Sequence, residues 1–289
     1  MANLKDIQRR ITSVQSTQKI TSAMKMVAAA KLRRAQDAIQ AARPYAERMR
    51  ATLDEVAASG LDGSHPLFEP HEEKKTLEVV VITSDRGLAG AFNANVIKAV
   101  EALVTERKNE FAAFSLTIVG KKAIDYFKRH RASQISEARE VGPHVNYLEA
   151  QQVARRLMAR FEHGEVDEVV LVYSEFVSTM TQTPKISSLL PFAPEAAGEG
   201  EEEKLPYEIE PDAGKLLAVL VPKAVEIEVF RALLESQAGE HAARMTAMES
   251  ATKNTQELIE ALTLEFNRAR QAAITSELVE IITGAQALD

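Results

Sequence analysis

Cysteine and tryptophan are absent from the 289 residues of this chain, and aromatic residues make up only 5% of it. The lack of cysteine excludes disulfides, thiolate metal ligands, a cysteine nucleophile and thiol redox switching. Long apolar runs are missing as well. Stretches such as residues 79–82 fall far short of the ~20 apolar residues that a membrane-spanning helix needs, so any association with a bilayer is expected to run through partners. The first ten residues are charged and lack an apolar stretch ahead of a small-residue cleavage site, which does not read as a secretory signal. The six histidines, His65, His71, His130, His144, His163 and His241, show neither i, i+4 pairing nor carboxylates at metal-ligand spacing. A lone His241 on a helical seam reads as packed or partner-facing. No serine sits in a Gly-x-Ser-x-Gly context. Catalytic, cofactor-binding and metal-binding residues are therefore all expected to be lacking.

What is present is helix-forming and unevenly charged. The chain is 45% hydrophobic and 27% charged, ordinary for a folded protein, and its length implies one core plus a second architectural element. The net charge of -7 hides a split. Residues 1–50 hold eleven Lys/Arg against three Asp/Glu, and the remainder holds 24 against 39. That asymmetry points to an electrostatic role for the amino-terminal segment, with nucleic acid, anionic lipid or an acidic protein cavity as partners, set against the plainer reading of a solvated helix face.

Stepping alternately three and four residues from Leu4 gives Leu4, Ile7, Ile11 and Val14, then Gln18, Thr21 and Lys25, then Ala28, Leu32, Ala35 and Ile39, and onward to Leu53 and Val56. This is a heptad seam. It lapses at Gln18, Thr21 and Lys25, where the apolar residues move to Ile20, Met24, Met26 and Val27, and there the helix is expected to face something other than its usual mate. Pro44 lies off the seam and implies a local kink rather than a stop. A helix ending near residues 59 and 60 would be about 80 Å long.

Residues 60–70 are rich in Gly, Pro and His and hand over to a different texture. Strands are predicted at 76–83, 115–119 and 168–176, helices at 93–106, 121–129 and 148–163, and a further strand at 185–192. Strands alternating with helices imply a mainly parallel sheet. Residues 194–204 read as a mobile acidic loop. After Pro222 the helical period returns nearly to the end. Two long helices of matched length, each with one apolar stripe, bury those stripes most simply against each other. The expected fold is therefore α/β, with a long antiparallel coiled coil of the N- and C-terminal helices plus a Rossmann-like α/β domain. Its divisions are 1–59, 60–222 and 223–289, and the fold-back sets the neighbourhood of Ala35 against that of Ile259.

The turn Ser84-Asp85-Arg86-Gly87-Leu88-Ala89-Gly90 follows a strand and precedes a helix, where backbone amides could cradle phosphate. It lacks the Gly-Lys-Ser/Thr ending of a P-loop and the spacing of a dinucleotide fingerprint, so a structural turn is preferred. The basic series Lys19, Lys25, Lys31, Arg33 and Arg34 comes without stacking aromatics or a DNA-binding fold. Met24, Met26, Met245 and Met248 read as adaptable core filler, or as a compliant surface against a partner.

The run Ile11-Thr12-Ser13-Val14-Gln15-Ser16-Thr17-Gln18-Lys19-Ile20-Thr21-Ser22-Ala23-Met24-Lys25-Met26-Val27-Ala28-Ala29 closely resembles the amino-terminal signature of ATP synthase gamma subunits. So do Arg43-Pro44-Tyr45, the turn at 84–90, Ser236 with Glu240, Ala243-Arg244-Met245-Thr246-Ala247-Met248 and Arg268-Ala269-Arg270-Gln271-Ala272-Ala273-Ile274-Thr275. The likeness runs in order through both ends and the middle, leaving out the acidic loop and the regulatory cysteine insertion of chloroplast members. It implies the non-catalytic rotor shaft of a bacterial F-type enzyme. The coiled coil would enter a hexamer of alpha and beta subunits, with the globular part near the epsilon subunit and the c-ring. It further implies no cofactor, no nucleic acid, and a peripheral place on the cytoplasmic face of the plasma (inner) membrane. Residues matching Lys19, Met24, Lys25, Arg244, Arg270, Gln271 and Thr275 lie, in that family, where shaft and beta subunits meet. A coiled-coil adaptor and a soluble α/β nucleotide enzyme stay open as alternatives on the residues alone.

Overall fold

The computed structural model describes residues 4–58, 65–142, 144–192 and 213–286. The expected acidic loop at 194–204 lies outside them, as does the expected helix end at residues 59 and 60. The longer elements are α1 (Leu4–Ala58), β1 (Thr76–Ile82), α2 (Phe92–Glu106), β2 (Ala113–Val119), α3 (Lys121–His130), β3 (Ile135–Arg139), α4 (Tyr147–Glu162), β4 (Glu168–Phe176), β5 (Gln182–Leu190) and α5 (Ala213–Gln286). The chain forms two compact units: residues 1–28 with 244–289, and residues 29–243.

In the second unit the sheet has the order β3-β2-β1-β4-β5. β1 pairs parallel with both β2 and β4, β2 pairs parallel with β3, and β5 returns antiparallel on β4. From Leu77 to Ile82 every residue of β1 is buried, as expected of a central parallel strand covered on both faces. Because successive side chains point to opposite faces, Val80 and Ile82 join one core with Leu157 and Phe161 of α4 and Val221, Val225 and Val229 of α5. Leu77, Val79 and Val81 join the other with Val96 and Val100 of α2 and Phe127 of α3.

Two expectations need correction. α5 begins at Ala213, and Pro222 lies inside it. Proline removes one intrahelical hydrogen bond, but Val221 before it and Val225 after it are both buried in the sheet-facing core, and their burial holds the helix together. β3 was not anticipated: its sequence Ile-Ser-Glu-Ala-Arg carries little β-branched character, and its half-buried edge position gives no alternation to read. The strand expected at 185–192 exists as the antiparallel edge β5.

Two buried carboxylates tie these layers together. Glu78 of β1 is fully buried; it accepts from Thr117 Oγ1 at 2.6 Å and Ser136 Oγ at 2.9 Å, and it pairs with Arg160 of α4. Glu226 of α5 accepts from the Tyr147 hydroxyl, from Gln151 Nε2 at 3.0 Å and from Arg155 Nε at 3.1 Å. Burial raises the Glu226 pKa, but these bonds outweigh it and hold the carboxyl below the usual range. His241 is buried on α5, the packed alternative of its two expected roles.

Candidate functional site

All seven residues expected to meet partners fall in the unit made of residues 1–28 and 244–289. There α1 and α5 are joined by three polar rungs. Gln18 Nε2 donates to Gln256 Oε1 at 2.7 Å, Thr252 Oγ1 to Thr21 Oγ1 at 2.8 Å, and Lys25 Nζ to Glu249 Oε1 at 2.5 Å. The two residue numbers of each pair total 273 or 274, so the helices run antiparallel in a heptad-like register. Ile7, Ala28, Met248 and Leu262 are the buried apolar members of this pairing.

The seam therefore does not lapse at Gln18, Thr21 and Lys25. Each faces a polar mate on α5, while Ile20, Met26 and Val27 point outward, all more than half exposed. The register also sets Ile259 opposite the turn of α1 that precedes Gln18, correcting the expected neighbourhood of Ala35. Leu4, the first described residue of α1, falls against about residue 270 by the same register. α5 continues to Gln286, and past residue 270 Ile274, Leu278, Ile281 and Ile282 form an exposed apolar stripe at helical spacing.

The expected contact residues are distributed over this surface as follows. Lys19, Arg270, Gln271 and Thr275 are exposed, and Met24 and Arg244 are half-buried. Lys25 is half-buried because of its pair with Glu249. Thr275 Oγ1 donates to the Gln271 carbonyl at 2.9 Å, one of several hydroxyls that bond back to the preceding turn, as Thr12 does to Gln8 at 3.1 Å and Ser16 to Thr12 at 3.0 Å. What the sequence pattern missed was the outward stripe on α5 and the polar mates Glu249, Thr252 and Gln256. A helical-wheel reading of α5 against the α1 seam carries that signal.

The turn at 84–90 is tied to the elements around it: its first amide, Ser84 N–H, donates to Asn93 Oδ1 at 2.9 Å at the start of α2. The Asp85 carboxylate accepts from the amides of Lys121 at 2.9 Å and of Val141 and Gly142 at 3.1 Å. It thereby occupies the anion position at the N-terminus of α3. The crevice where β1 and β4 diverge, the usual ligand site of such sheets, holds α5. A Cβ on Gly239 would lie 3.3 Å from Phe92 and 3.5 Å from Ser174 Oγ. Among the described residues no group of His, Cys, Asp and Glu could hold a metal, and no helix is long and apolar enough to cross a membrane.

A family model described as ATP synthase matches residues 3–288. An ATP synthase gamma chain of Geobacter metallireducens is 49% identical over 289 residues, covering 100% of this chain and 99% of its own length. The chain belongs to the ATP synthase gamma-chain family. A second gamma chain, from Desulforamulus reducens, is 49% identical over 292 residues and fully covered on both sides. Among solved structures, a chain from the central stalk and c-ring of the Tetrahymena thermophila mitochondrial ATP synthase is 28% identical. It has a TM-score of 0.60 over 80% of this chain and 99% of its own. A chain of the Euglena gracilis enzyme, 21% identical, matches in fold with a TM-score of 0.68 over 99% of this chain and 94% of its own.

Proposed function

We propose that the chain is the central, non-catalytic shaft of a bacterial F-type ATP synthase, coupling proton-driven rotation of a c-ring to conformational cycling of catalytic beta subunits. The helix pair of residues 4–28 and 244–286 enters the cavity of an alpha–beta hexamer. The sheet-bearing unit stands near the epsilon subunit and the c-ring. Attachment to the cytoplasmic face of the inner membrane runs through these partners alone, with neither cofactor nor nucleic acid involved.

One observation carries the reading. α1 and α5 satisfy each other through polar rungs, yet leave Ile20, Met26, Val27 and the stripe from Ile274 to Ile282 exposed. Apolar surface left outward on a paired helix marks a partner interface. An off-axis distribution of such residues gives each angular position of a turning shaft different contacts, which is how rotation would bias the open and closed states of surrounding subunits. Lys19, Met24, Lys25, Arg244, Arg270, Gln271 and Thr275 are the proposed contacts with the beta subunits. The basic face of α1 steers engagement with acidic partner loops more than it adds affinity.

Native mass spectrometry of the complex purified from cells should find one copy of the chain with alpha, beta, epsilon and c subunits; a homodimer lacking them would refute the assignment. Coupling of ATP hydrolysis to proton pumping should fall in Lys25→Glu. Because Lys25 also holds Glu249, the double exchange Lys25→Glu with Glu249→Lys restores the intrachain pair. A defect that persists in the double variant supports the partner contact, and full rescue removes Lys25 from it.

A further inference from the structure

α4 carries two polar stripes, each with its members four residues apart and so on one side of the helix. Tyr147, Gln151 and Arg155 all donate to the carboxylate of Glu226 on α5, a residue only 3% exposed. Arg156 and Arg160 reach the sheet. Arg156 pairs with Glu137 of β3 at 3.1 Å, and Arg160 pairs with the fully buried Glu78 of β1. Glu78 in turn accepts from Thr117 of β2 and Ser136 of β3. Polar ties therefore run from α5 through α4 into three strands, and all of them lie within the unit of residues 29–243.

These ties differ in weight. The side chains of Arg155 and Arg156 are 67% and 52% exposed, and solvated pairs of that kind add little. Tyr147 and Gln151 are half-buried, and hydrogen bonds from such groups to a buried carboxylate are among the strong ones. Tyr147 is also held in place from several sides. It opens α4, where Asn146 caps the helix by accepting from the Glu149 amide at 2.9 Å. Its ring meets Phe230 edge-on at 5.6 Å and lies 4.4 Å from the Lys223 ammonium, which itself reaches Glu226 at 3.4 Å. Burial, and after it the bond to Glu226, raise the Tyr147 pKa, so its hydroxyl keeps the proton that it donates.

Val221, Val225 and Val229 of α5 share a core with Leu157 and Phe161 of α4. Apolar packing of this kind resists separation but is non-directional and sets no angle. The carboxylate of Glu226 does set one. Lying about 5 Å from the axis of α5, it moves about 2 Å when that helix turns by about 20°, which takes it out of the roughly 2.7–3.2 Å window of its hydrogen bonds. We infer that Glu226 is a positioning residue that fixes the angle of α5 against the sheet, and that α4 is the strut through which torque passes between them. The inference rests on the rotor reading and adds to it the place where the shaft is gripped.

The test is the angular fluctuation of a bead on the full-length chain assembled with an immobilised alpha–beta hexamer. Because the sequence has no cysteine, Lys108→Cys or Val219→Cys supplies a single attachment point. Lys108 is exposed beside Arg107, which is anchored to Glu168 of β4 at 2.5 Å, and Val219 is 69% exposed on α5 itself. With rotation paused, Glu226→Gln should raise the angular variance of the Lys108→Cys bead about twofold, since packing without a preferred angle is what remains. The Val219→Cys bead should keep its wild-type variance. Tyr147→Phe, which keeps the ring and carries the test if Glu226→Gln does not fold, should broaden the Lys108→Cys bead to a smaller extent. Broadening at both attachment points would show a general loosening of the fold and overturn the inference. An unchanged variance at Lys108→Cys alongside a lowered melting temperature would leave the network a stabilising role only, and would overturn it as well. A wild-type complex whose beads never turn on ATP would overturn the rotor reading and this role with it, whereas wild-type rotation with unaltered variants removes the role of α4 alone.

Discussion

Gly120 connects β2 to α3 with φ at 115°, and a Cβ there would stand 2.2 Å from the Thr83 carbonyl oxygen. Backbone strain and an immovable neighbour act together, so Gly120→Ala should lose about 2–5 kcal/mol in urea unfolding. Gly142 has φ at 73° but open space around its would-be Cβ, and Gly142→Ala should lose only about 1 kcal/mol. Equal losses at the two sites would mean that the close approach at Thr83 is relieved by movement. Asp167, just ahead of β4, offers a test by pH. Burial opposes its charge, but the amides of Thr76 at 2.7 Å and Lys75 at 2.8 Å and the ring of His71 at 3.0 Å more than compensate, and its carboxyl titrates below the ordinary range. A carboxyl depressed in the folded state stabilises above its unfolded pKa, near 4, and that contribution disappears as pH falls through the folded value. Asp167→Asn should therefore flatten the decline of stability below about pH 4 and lower stability at pH 7.

Of the elements, the long helices, β1, β2, β4 and the helices between them were legible because hydrophobic period and strand-forming runs mark them locally. β3 was not, since a short half-buried edge strand made of Ser, Glu and Arg is stabilised by its neighbour β2 rather than by its own residues. The rungs were half legible. Apolarity marks Gln18, Thr21 and Lys25 as exceptions, but only the facing helix reveals that they match Gln256, Thr252 and Glu249. Of the candidate contacts, the sequence supplied the residue types and the family likeness, whereas the division between outward and inward faces required the register. The absence of cysteine gives that register a clean test. Thr21→Cys with Thr252→Cys should form a disulfide rapidly under mild oxidation, because the two hydroxyls already lie 2.8 Å apart. Thr21→Cys with Ile259→Cys, displaced by about a heptad, should not. Comparable crosslinking of both pairs would indicate sliding helices.

Considered as a whole, the molecule invites two truncations with opposite expectations. Ending the chain after residue 270 removes the exposed stripe at Ile274, Leu278, Ile281 and Ile282 but leaves every rung in place. The isolated protein should then melt as before by circular dichroism, while its recovery in the assembled complex falls. Ending it after Gly239 removes all three rungs and the buried Met248 and Leu262, so residues 4–28 should lose helix content even in isolation. A shortened chain of the first kind that assembles normally would place the partner contacts elsewhere. The fixed total of residue numbers across the rungs has a further consequence for tolerated length changes. One extra residue between Glu249 and Gln256 would turn everything after it by about 100° about the helix axis, aiming Ile274 and Leu278 in a new direction while Lys25 still grips Glu249. Insertions in this stretch keep that direction only at lengths close to a whole number of turns, such as seven or eleven residues, so the spacing of two distant surface features is recorded in chain length rather than in any contact between them.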